Sequence, residues 1–360
     1  MNSIQEEFKE SLKFNLKNKY NCIPLGFKGF AKVYPGIIKG THTCITGVKD
    51  SGKTKFMRYF WIINAIEFVK EVNDIEQLDI KIFVYCLKQS VKAFRAEILS
   101  SFLYRDYKIE MTYLDLLSIQ EKDNRKMNET VLGYIAKYDD WFEYFDSKVS
   151  IYDTKNKPQE IFDTTKRWIE QQGAFEQIGE RKEFKYDNPN LFVLNCTDSL
   201  RSLVSDNGMN MDTKKCIEKH VINNMNTLKK VYNCAIVDIH DTSIDKERIE
   251  SDYSGKTNEE KLEPAIDGLG DSKIVGTYYD FILGIHYPWK YKFTSHMDYS
   301  VSILQDNYRS IKVVSSIFSS PNLYLGMWFN GASSTFEELP STTHLKSQLN
   351  MENYLKTRRK

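Results

Sequence analysis

The sequence contains no apolar run of membrane-spanning length, so it predicts neither a transmembrane helix nor a membrane partner. Its first ten residues, MNSIQEEFKE, do not resemble a signal peptide, and we expect a cytoplasmic protein. An excess of either charge is missing as well, because 50 basic and 49 acidic residues leave a net charge of +1. A nucleic-acid site would therefore have to be a local basic patch.

Cysteine spacing typical of a metal site is also absent. The six cysteines are scattered along the chain, without a CxxC pair and without a Cys/His cluster. This arrangement argues against a zinc site and favours reduced, free thiols.

Strand-like and helix-like segments alternate along most of the chain. Apolar runs predict strands over 40–47, 80–87, 148–153, 190–196, 234–240 and 279–287. Helices are predicted over 53–72, 90–104, most of 105–147, 158–172 and 211–231. Such alternation is typical of an α/β fold with a mostly parallel sheet between two layers of helices. Residues 299–337 instead predict three consecutive strands, which form a C-terminal β hairpin region.

The segment GVKDSGKT, residues 47–54, matches the phosphate-loop pattern GxxxxGK followed by Ser or Thr, between a predicted strand and a predicted helix. Its glycines let backbone N–H groups surround phosphate oxygens, and the positive end of the helix dipole points at the same anion. The Lys53 ammonium would reach the β- and γ-phosphates, and the Thr54 hydroxyl would bind Mg²⁺. We therefore predict ATP or another nucleoside triphosphate with Mg²⁺ as the ligand. The predicted nucleotide-binding residues are Gly47, Lys49, Ser51, Gly52, Lys53 and Thr54. The alternative is a loop of this shape that has lost its ligand.

The order and spacing of further segments resemble the RecA-like motor domain of DnaB-type, superfamily 4 replicative helicases. The resemblance covers about residues 20–340 and includes FVYCLKQS, NLFVLNCTDSL, VYNCAIVDIHDTS and LYLGMWFNGASSTFEEL. It implies a RecA-like P-loop NTPase core over 21–340, preceded by a linker-type helix within 1–20 and followed by a polar tail, 341–360. It also implies a hexameric ring, single-stranded DNA and other replication proteins as partners, and a phage-encoded protein in the host cytoplasm.

Several positions depart from the family pattern. Lys88 stands where the family has its catalytic Glu, and an ammonium cannot accept the proton of an attacking water. Asn195 stands where we place the metal-binding Asp, although Asp198 could replace it if the strand end shifts, or could cap a helical turn instead. Ser316 aligns with the family's arginine finger, with Arg309 as a nearby candidate. The resemblance therefore predicts that nucleotide binding is kept and leaves hydrolysis open.

Two further groups of residues are singled out by the resemblance. His240 ends the strand AIVDIH, where the family has a γ-phosphate sensor, and Asp238 precedes it as a possible free carboxylate or a buried, paired acid. The loops 201–215 and 242–273 correspond to the family's DNA-binding loops. Basic residues in these loops that would contact DNA include Arg201, Lys214, Lys215, Lys256 and Lys273. A solvated loop of mixed charge explains them equally well.

Three functional hypotheses follow. The first is a DnaB-like helicase-family protein that binds nucleotide and acts in DNA replication or a related DNA transaction. The second is a catalytically degenerate RecA-fold scaffold or structural subunit that holds nucleotide without hydrolysing it. The third is a RecA-like recombination ATPase that forms filaments, although no clear polymerisation segment is present.

Overall fold

The computed structural model describes most of the chain between residues 22 and 342. The described residues are 22–29, 31, 34–118, 128–178, 181–206, 208–243, 259–269, 275–318, 323–342 and 353–354. The predicted linker helix within 1–20 and most of the predicted tail lie outside these residues. The proposed domain boundaries therefore remain predictions.

One nine-stranded sheet forms the centre of the molecule. Its strands are β1 (His42–Gly47), β2 (Asp79–Cys86), β3 (Val149–Tyr152), β4 (Leu191–Asp198), β5 (Ala235–Asp241), β6 (Phe281–His286), β7 (Tyr308–Ser316), β8 (Tyr324–Asn330) and β9 (Thr335–Glu338). The spatial order is β9-β8-β7-β6-β1-β5-β4-β2-β3. The six strands from β6 to β3 are parallel to one another, and β7, β8 and β9 add on in antiparallel fashion. The predicted RecA-like α/β core with C-terminal hairpins is thus confirmed.

Helices cover the parallel strands. They are α1 (Lys53–Met57), α2 (Ala65–Glu76), α3 (Val91–Tyr107), α4 (Tyr113–Leu116), α5 (Glu129–Ile135), α6 (Asp139–Lys148), α7 (Pro158–Ile169), α8 (Thr213–Asn223), α9 (Glu259–Leu262) and α10 (Val301–Leu304). A wider, π-helical segment, Arg58–Asn64, joins α1 to α2 into one continuous helical run, and a second one, Asn224–Lys229, extends α8. Side-chain caps explain two of the starts, because Ser90 accepts a hydrogen bond from Ala93 N and Asp212 from Lys215 N.

Two segments differ from the sequence prediction. A charged antiparallel hairpin, Gly173–Ile178 with Arg181–Tyr186, precedes β4 where no element is predicted. The prediction of the first strand of the C-terminal region is wrong for most of its length. Only Tyr299–Ser300 is extended there, and α10 follows directly because its apolar residues Val301 and Leu304 turn together into a small aromatic cluster.

The helical run after β1 is held in place by its apolar face. Phe56, Trp61 and Ile62 are fully buried, and Phe56 packs edge-on against Phe336 of β9. The start of α1 is thereby fixed between the parallel strands and the C-terminal hairpins. Within the described part of the chain, no helix combines the length and the apolar character needed to cross a membrane.

Candidate nucleotide-binding site

The phosphate loop lies at the carboxyl edge of four adjacent parallel strands. Gly47 ends β1, Asp241 ends β5, Asp198 ends β4, and Lys88 follows the end of β2 by two residues. Because β1, β5, β4 and β2 are neighbours in this order, their last residues converge on one crevice. The carboxyl edge of a parallel sheet is where α/β proteins of this kind bind their ligands.

Two glycines give the loop its shape. Gly47 has φ 156°, and a Cβ atom there would lie 2.4 Å from the carbonyl oxygen of Ile285 on β6. Gly52, directly before α1, is left-handed with φ 96°, and a Cβ atom would lie 3.1 Å from the Phe336 ring. A side chain at either position would therefore push the loop out of its place. The short turn between them leaves the Ser51 hydroxyl buried and without a partner among the described residues.

Lys53 is buried under this loop with 6% of its side chain exposed. Its ammonium donates to the carbonyl oxygens of Gly47 at 2.8 Å and Val48 at 2.7 Å, and lies 3.1 Å from Asp241 Oδ1. Burial lowers the pKa of Lys53, and the Asp241 carboxylate opposes that shift. The ammonium thus already sits where a phosphate group would approach the loop, with a carboxylate as its counter-ion.

Asp241 is the residue that sequence reasoning missed. Its carboxylate bridges two ammonium groups, since Oδ2 lies 2.8 Å from Lys88 Nζ, and it also accepts a hydrogen bond from the Ser199 hydroxyl. Burial by itself raises the pKa of Asp241, but Lys53 and Lys88 together lower it to about 2. The available signal was its position directly after His240 at the strand end.

Asp198, the last residue of β4, is 1% exposed and faces Thr54 at the start of α1. Burial raises the pKa of Asp198, and the nearby Thr54 hydroxyl opposes that shift. Neither carboxylate oxygen has a partner at hydrogen-bond geometry within the described residues. A buried carboxyl group without such a partner, beside the threonine of a phosphate loop, fits a Mg²⁺ shell of oxygen ligands.

Comparison with solved structures identifies the fold. The ATPase domain of G40P superposes with a TM-score of 0.66 at 14% identity, covering 94% of this chain and all of that chain. A DnaB-like replicative helicase, described with its interactions with primase, gives a TM-score of 0.64 at 13% identity, covering 94% of this chain and 69% of that one. The chain has the fold of a DnaB-like helicase ATPase domain. No protein-family model matches the sequence, and no curated protein is significantly similar to it.

Within this helicase-type fold, the structure separates the two candidates for the metal-binding acid. Asn195 is fully buried three residues before the strand end, and its amide donates to the Thr165 hydroxyl of α7 at 2.8 Å. The strand rise puts it roughly 10 Å from Asp198 along β4. The alignment of Asn195 with the metal position is therefore not reproduced by the geometry, and Asp198 is the acid beside the loop.

Lys88 lies in the crevice, as the helicase resemblance implies, but it is paired. Its ammonium, 40% exposed at the side chain, contacts only the Asp241 carboxylate among the ion pairs of the described residues. A protonated amine held by a carboxylate cannot take a proton from water. The carboxylate that contacts Lys88 comes instead from the end of β5, two strands away from β2 in the sheet.

His240 and Asp238 have separate surroundings. The His240 ring is 5% exposed, its Nδ1 lies 3.1 Å from the Asp241 carbonyl oxygen, and burial lowers its pKa. Asp238 is fully buried between two histidines, at 2.7 Å from His42 Nε2 and 3.1 Å from His220 Nε2. Of the two alternatives for Asp238, a free carboxylate or a buried, paired acid, the structure shows the second. The His240 ring lies beside Asp241.

Neither Ser316, at the family's arginine-finger position, nor the nearby candidate Arg309 presents a free cation at the surface. Ser316 lies at the far end of β7, where its hydroxyl accepts a hydrogen bond from Phe318 N. Arg309 is 3% exposed and is bound to the carbonyl groups of its own phosphate loop. The suggestion that Arg309 serves as a finger is therefore wrong, because a finger must be free to enter another subunit's site.

The predicted DNA-contacting residues are only partly described. Arg201 follows β4 in a short 3₁₀ turn, and Lys214 and Lys215 occupy the first turn of α8; all three are exposed. Lys256 and Lys273 lie outside the described residues. Contact of the three described side chains with DNA remains a prediction.

We expect Asp241→Asn to weaken the folded protein and to strengthen its binding of phosphate groups. The substitution removes the anion that holds Lys53 and Lys88, so about 2 kcal/mol of unfolding free energy is lost at pH 7. It also removes a carboxylate that competes with phosphate for Lys53, so affinity for Mg·ATP should rise about tenfold. Calorimetry and urea unfolding measure the two effects.

The pH dependence and a control variant sharpen this test. A lowered pKa in the folded state stabilises above about pH 4 and loses its effect as the pH falls towards 2, so the stability difference between wild type and Asp241→Asn should shrink over that range. Asp280→Asn is the matched control, because its equally buried carboxylate pairs with Lys229 at the opposite edge of the sheet. Unchanged nucleotide affinity in Asp241→Asn, or the same gain in Asp280→Asn, would contradict the expectation.

Proposed function

We propose that the protein binds a magnesium complex of ATP or another nucleoside triphosphate at residues 47–54. The observation that carries the proposal is the convergence of Lys53, Thr54 and Asp198 at the carboxyl edge of the parallel strands. The loop amides and the Lys53 ammonium bind the phosphates, and Lys49 and Ser51 contribute the remaining loop contacts. Thr54 and Asp198 hold Mg²⁺, directly or through a bound water.

The metal fits this site for reasons that do not depend on the resemblance. Asp198 presents two buried carboxylate oxygens without a hydrogen-bond partner in the described part of the chain, and Thr54 stands beside it. Oxygen donors of this kind are the ligands that Mg²⁺ prefers. When bound, the metal neutralises phosphate charge, while the chain itself fixes the position of the phosphates and excludes water from the loop.

We further propose that this binding serves a helicase-type protein in DNA replication or a related DNA transaction, in the cytoplasm. Support comes from the helicase-type fold over 94% of the chain and from the exposed bases Arg201, Lys214 and Lys215. A ring of subunits, single-stranded DNA and other replication proteins are the partners to test. A phage-encoded protein would work in the host cell.

The second candidate function is a nucleotide-holding scaffold that hydrolyses slowly or not at all. Its specific support is the Lys88–Asp241 ion pair, which leaves Lys88 unable to act as a base, and the use of Arg309 inside its own subunit. The Asp241 carboxylate, at the end of β5 in the same crevice, is one candidate acceptor for a water proton. With a pKa of about 2 it is a weak base, so we expect turnover to be slow.

One purified sample separates the two candidates. Mg·ATP affinity is measured by calorimetry, and phosphate release is then followed with and without single-stranded DNA. Binding with DNA-stimulated release supports the helicase-type function, and binding without release under any DNA condition supports the scaffold. Failure of Mg·ATP, Mg·GTP and pyrophosphate alike to bind would refute nucleotide binding itself.

A further inference from the structure

Arg309 on β7 is a buried arginine whose hydrogen bonds go to backbone carbonyls. Nε donates to Ser51 O at 3.0 Å, and Nη2 lies 3.3 Å from Asp50 O, both in the phosphate loop. Nη1 donates to the carbonyls of Asp306 and Tyr308 at 2.8 Å each. The guanidinium also contacts two aromatic rings, with Cζ 3.6 Å from the centre of Tyr287 and 4.7 Å from that of Phe329.

The two loop contacts fix the direction of two peptide groups. In a trans peptide the C=O bond and the following N–H bond point in opposite directions. The Asp50 carbonyl shares its peptide with Ser51 N–H, and the Ser51 carbonyl shares its peptide with Gly52 N–H. When Arg309 holds both oxygens on one side of the loop, both N–H groups point to the other side. There Ser51 N–H donates to Val48 O at 3.3 Å, the same carbonyl that accepts from the Lys53 ammonium. A phosphate bound on this side would take the place of that carbonyl as acceptor.

The electrostatics agree with this geometry. Arg309 is 3% exposed, and no carboxylate of the described residues forms an ion pair with it within 4 Å. Burial lowers the pKa of Arg309 to about 10, and the more distant carboxylates of Asp306 and Asp50 oppose that shift. A buried cation without a direct ion pair is costly to keep. Because Arg309 contacts the phosphate loop, its positive charge would attract an anion bound by that loop.

We propose that Arg309 is a positioning residue that orients the phosphate loop from the C-terminal hairpin strands of the same subunit. The inference rests on the proposed nucleotide binding and deepens it, because it names a residue 258 positions away from Ser51 that determines phosphate affinity. A planar guanidinium can hold two carbonyls and stack on Tyr287 at once, whereas a lysine ammonium in its place provides only a point charge. Charge alone is therefore not sufficient at this position.

The test compares full-length wild type with Arg309→Lys, using Mg·ATP and inorganic pyrophosphate as separate probes. We expect Arg309→Lys to weaken both ligands by about tenfold, and by the same factor, because the loop amides contact phosphates and not the nucleoside. Trp328→Phe is the matched control, since Trp328 lies on the neighbouring strand β8 and packs in another cluster. It should lower the melting temperature and leave both affinities unchanged.

A second readout needs no ligand. Hydrogen exchange at the amides of Ser51 and Gly52 should be faster in Arg309→Lys than in wild type and unchanged in Trp328→Phe. If Arg309→Lys does not fold, Tyr287→Leu replaces it, because it removes the ring that orients the guanidinium. Affinities within twofold of wild type, or unchanged exchange at both amides, would overturn the proposal. A wild type that binds neither probe but shows the exchange difference would refute nucleotide binding and leave the loop contact established.

Discussion

Lys53→Ala is expected to abolish measurable binding of Mg·ATP, with a loss of about 100-fold or more in affinity. Among the described residues, the Lys53 ammonium is the one side-chain cation that donates hydrogen bonds to the Gly47 and Val48 carbonyls of the loop. Two charge-assisted hydrogen bonds to phosphate contribute roughly 3 kcal/mol, which corresponds to about that factor. Calorimetric titration of wild type and variant with Mg·ATP measures it.

Lys53→Ala should also change the stability of the protein in the absence of nucleotide. Removing Lys53 leaves Asp241 with Lys88 as its remaining ion-pair partner and frees the Gly47 and Val48 carbonyls. We expect a lower melting temperature together with the loss of binding. Lys70→Ala is the control, because Lys70 lies exposed on the same helical run, roughly 25 Å further along. The expectation fails if Lys53→Ala binds Mg·ATP as tightly as Lys70→Ala.

The phosphate loop and the parallel strands were predictable because both depend on local sequence. The strand, the loop and the helix follow one another directly in the sequence. The pattern GVKDSGKT therefore also predicts the strand before it and the helix after it. Buried parallel strands appear as continuous apolar runs, and all six of them, β1 to β6, lie within two residues of the predicted bounds. Local pattern and tertiary structure agree in these segments.

The site residues contributed by strand ends were harder to predict. The apolar run LFVL places the metal-binding position at Asn195, in a strand predicted to end at residue 196, but the strand continues through Thr197 to Asp198, all buried. The end of a strand is set by pairing with its neighbours and not by its own composition. Here Asp198 of β4 pairs with Cys86 of β2. The contact of Arg309 with the phosphate loop could not be predicted, because its partners are loop carbonyls, which every residue carries.

Lys88 and Asp241 are best understood together. The family's acid is missing after β2 and a lysine stands there, while an aspartate is present at the end of β5 and pairs with that lysine. The crevice therefore keeps a carboxylate, but in a position where Lys53 also binds it. Under the proposed function, a phosphate would compete with Asp241 for Lys53, so nucleotide affinity would depend on the strength of this ion pair.

Asp198→Asn is expected to remove the dependence of nucleotide binding on Mg²⁺. Asp198 carries the buried carboxyl group beside Thr54, and an amide in its place has no charge to hold the metal. We expect the gain in ATP affinity on adding Mg²⁺ to fall by about tenfold or more, while affinity in EDTA stays close to that of wild type. Because burial raises the pKa of the acid, removing its charge should not destabilise the free protein strongly.

Asn195→Ala provides the comparison that decides between the two candidate positions. Its loss of the Thr165 hydrogen bond should lower stability by about 1 kcal/mol and leave the Mg²⁺ dependence intact. If Asn195→Ala removes the Mg²⁺ effect and Asp198→Asn retains it, the metal is held from the middle of β4, and the assignment of Asp198 is wrong. The opposite result would mean that the metal-binding acid of this site lies three residues further along the strand than its apolar pattern suggests, at the end that the sheet determines.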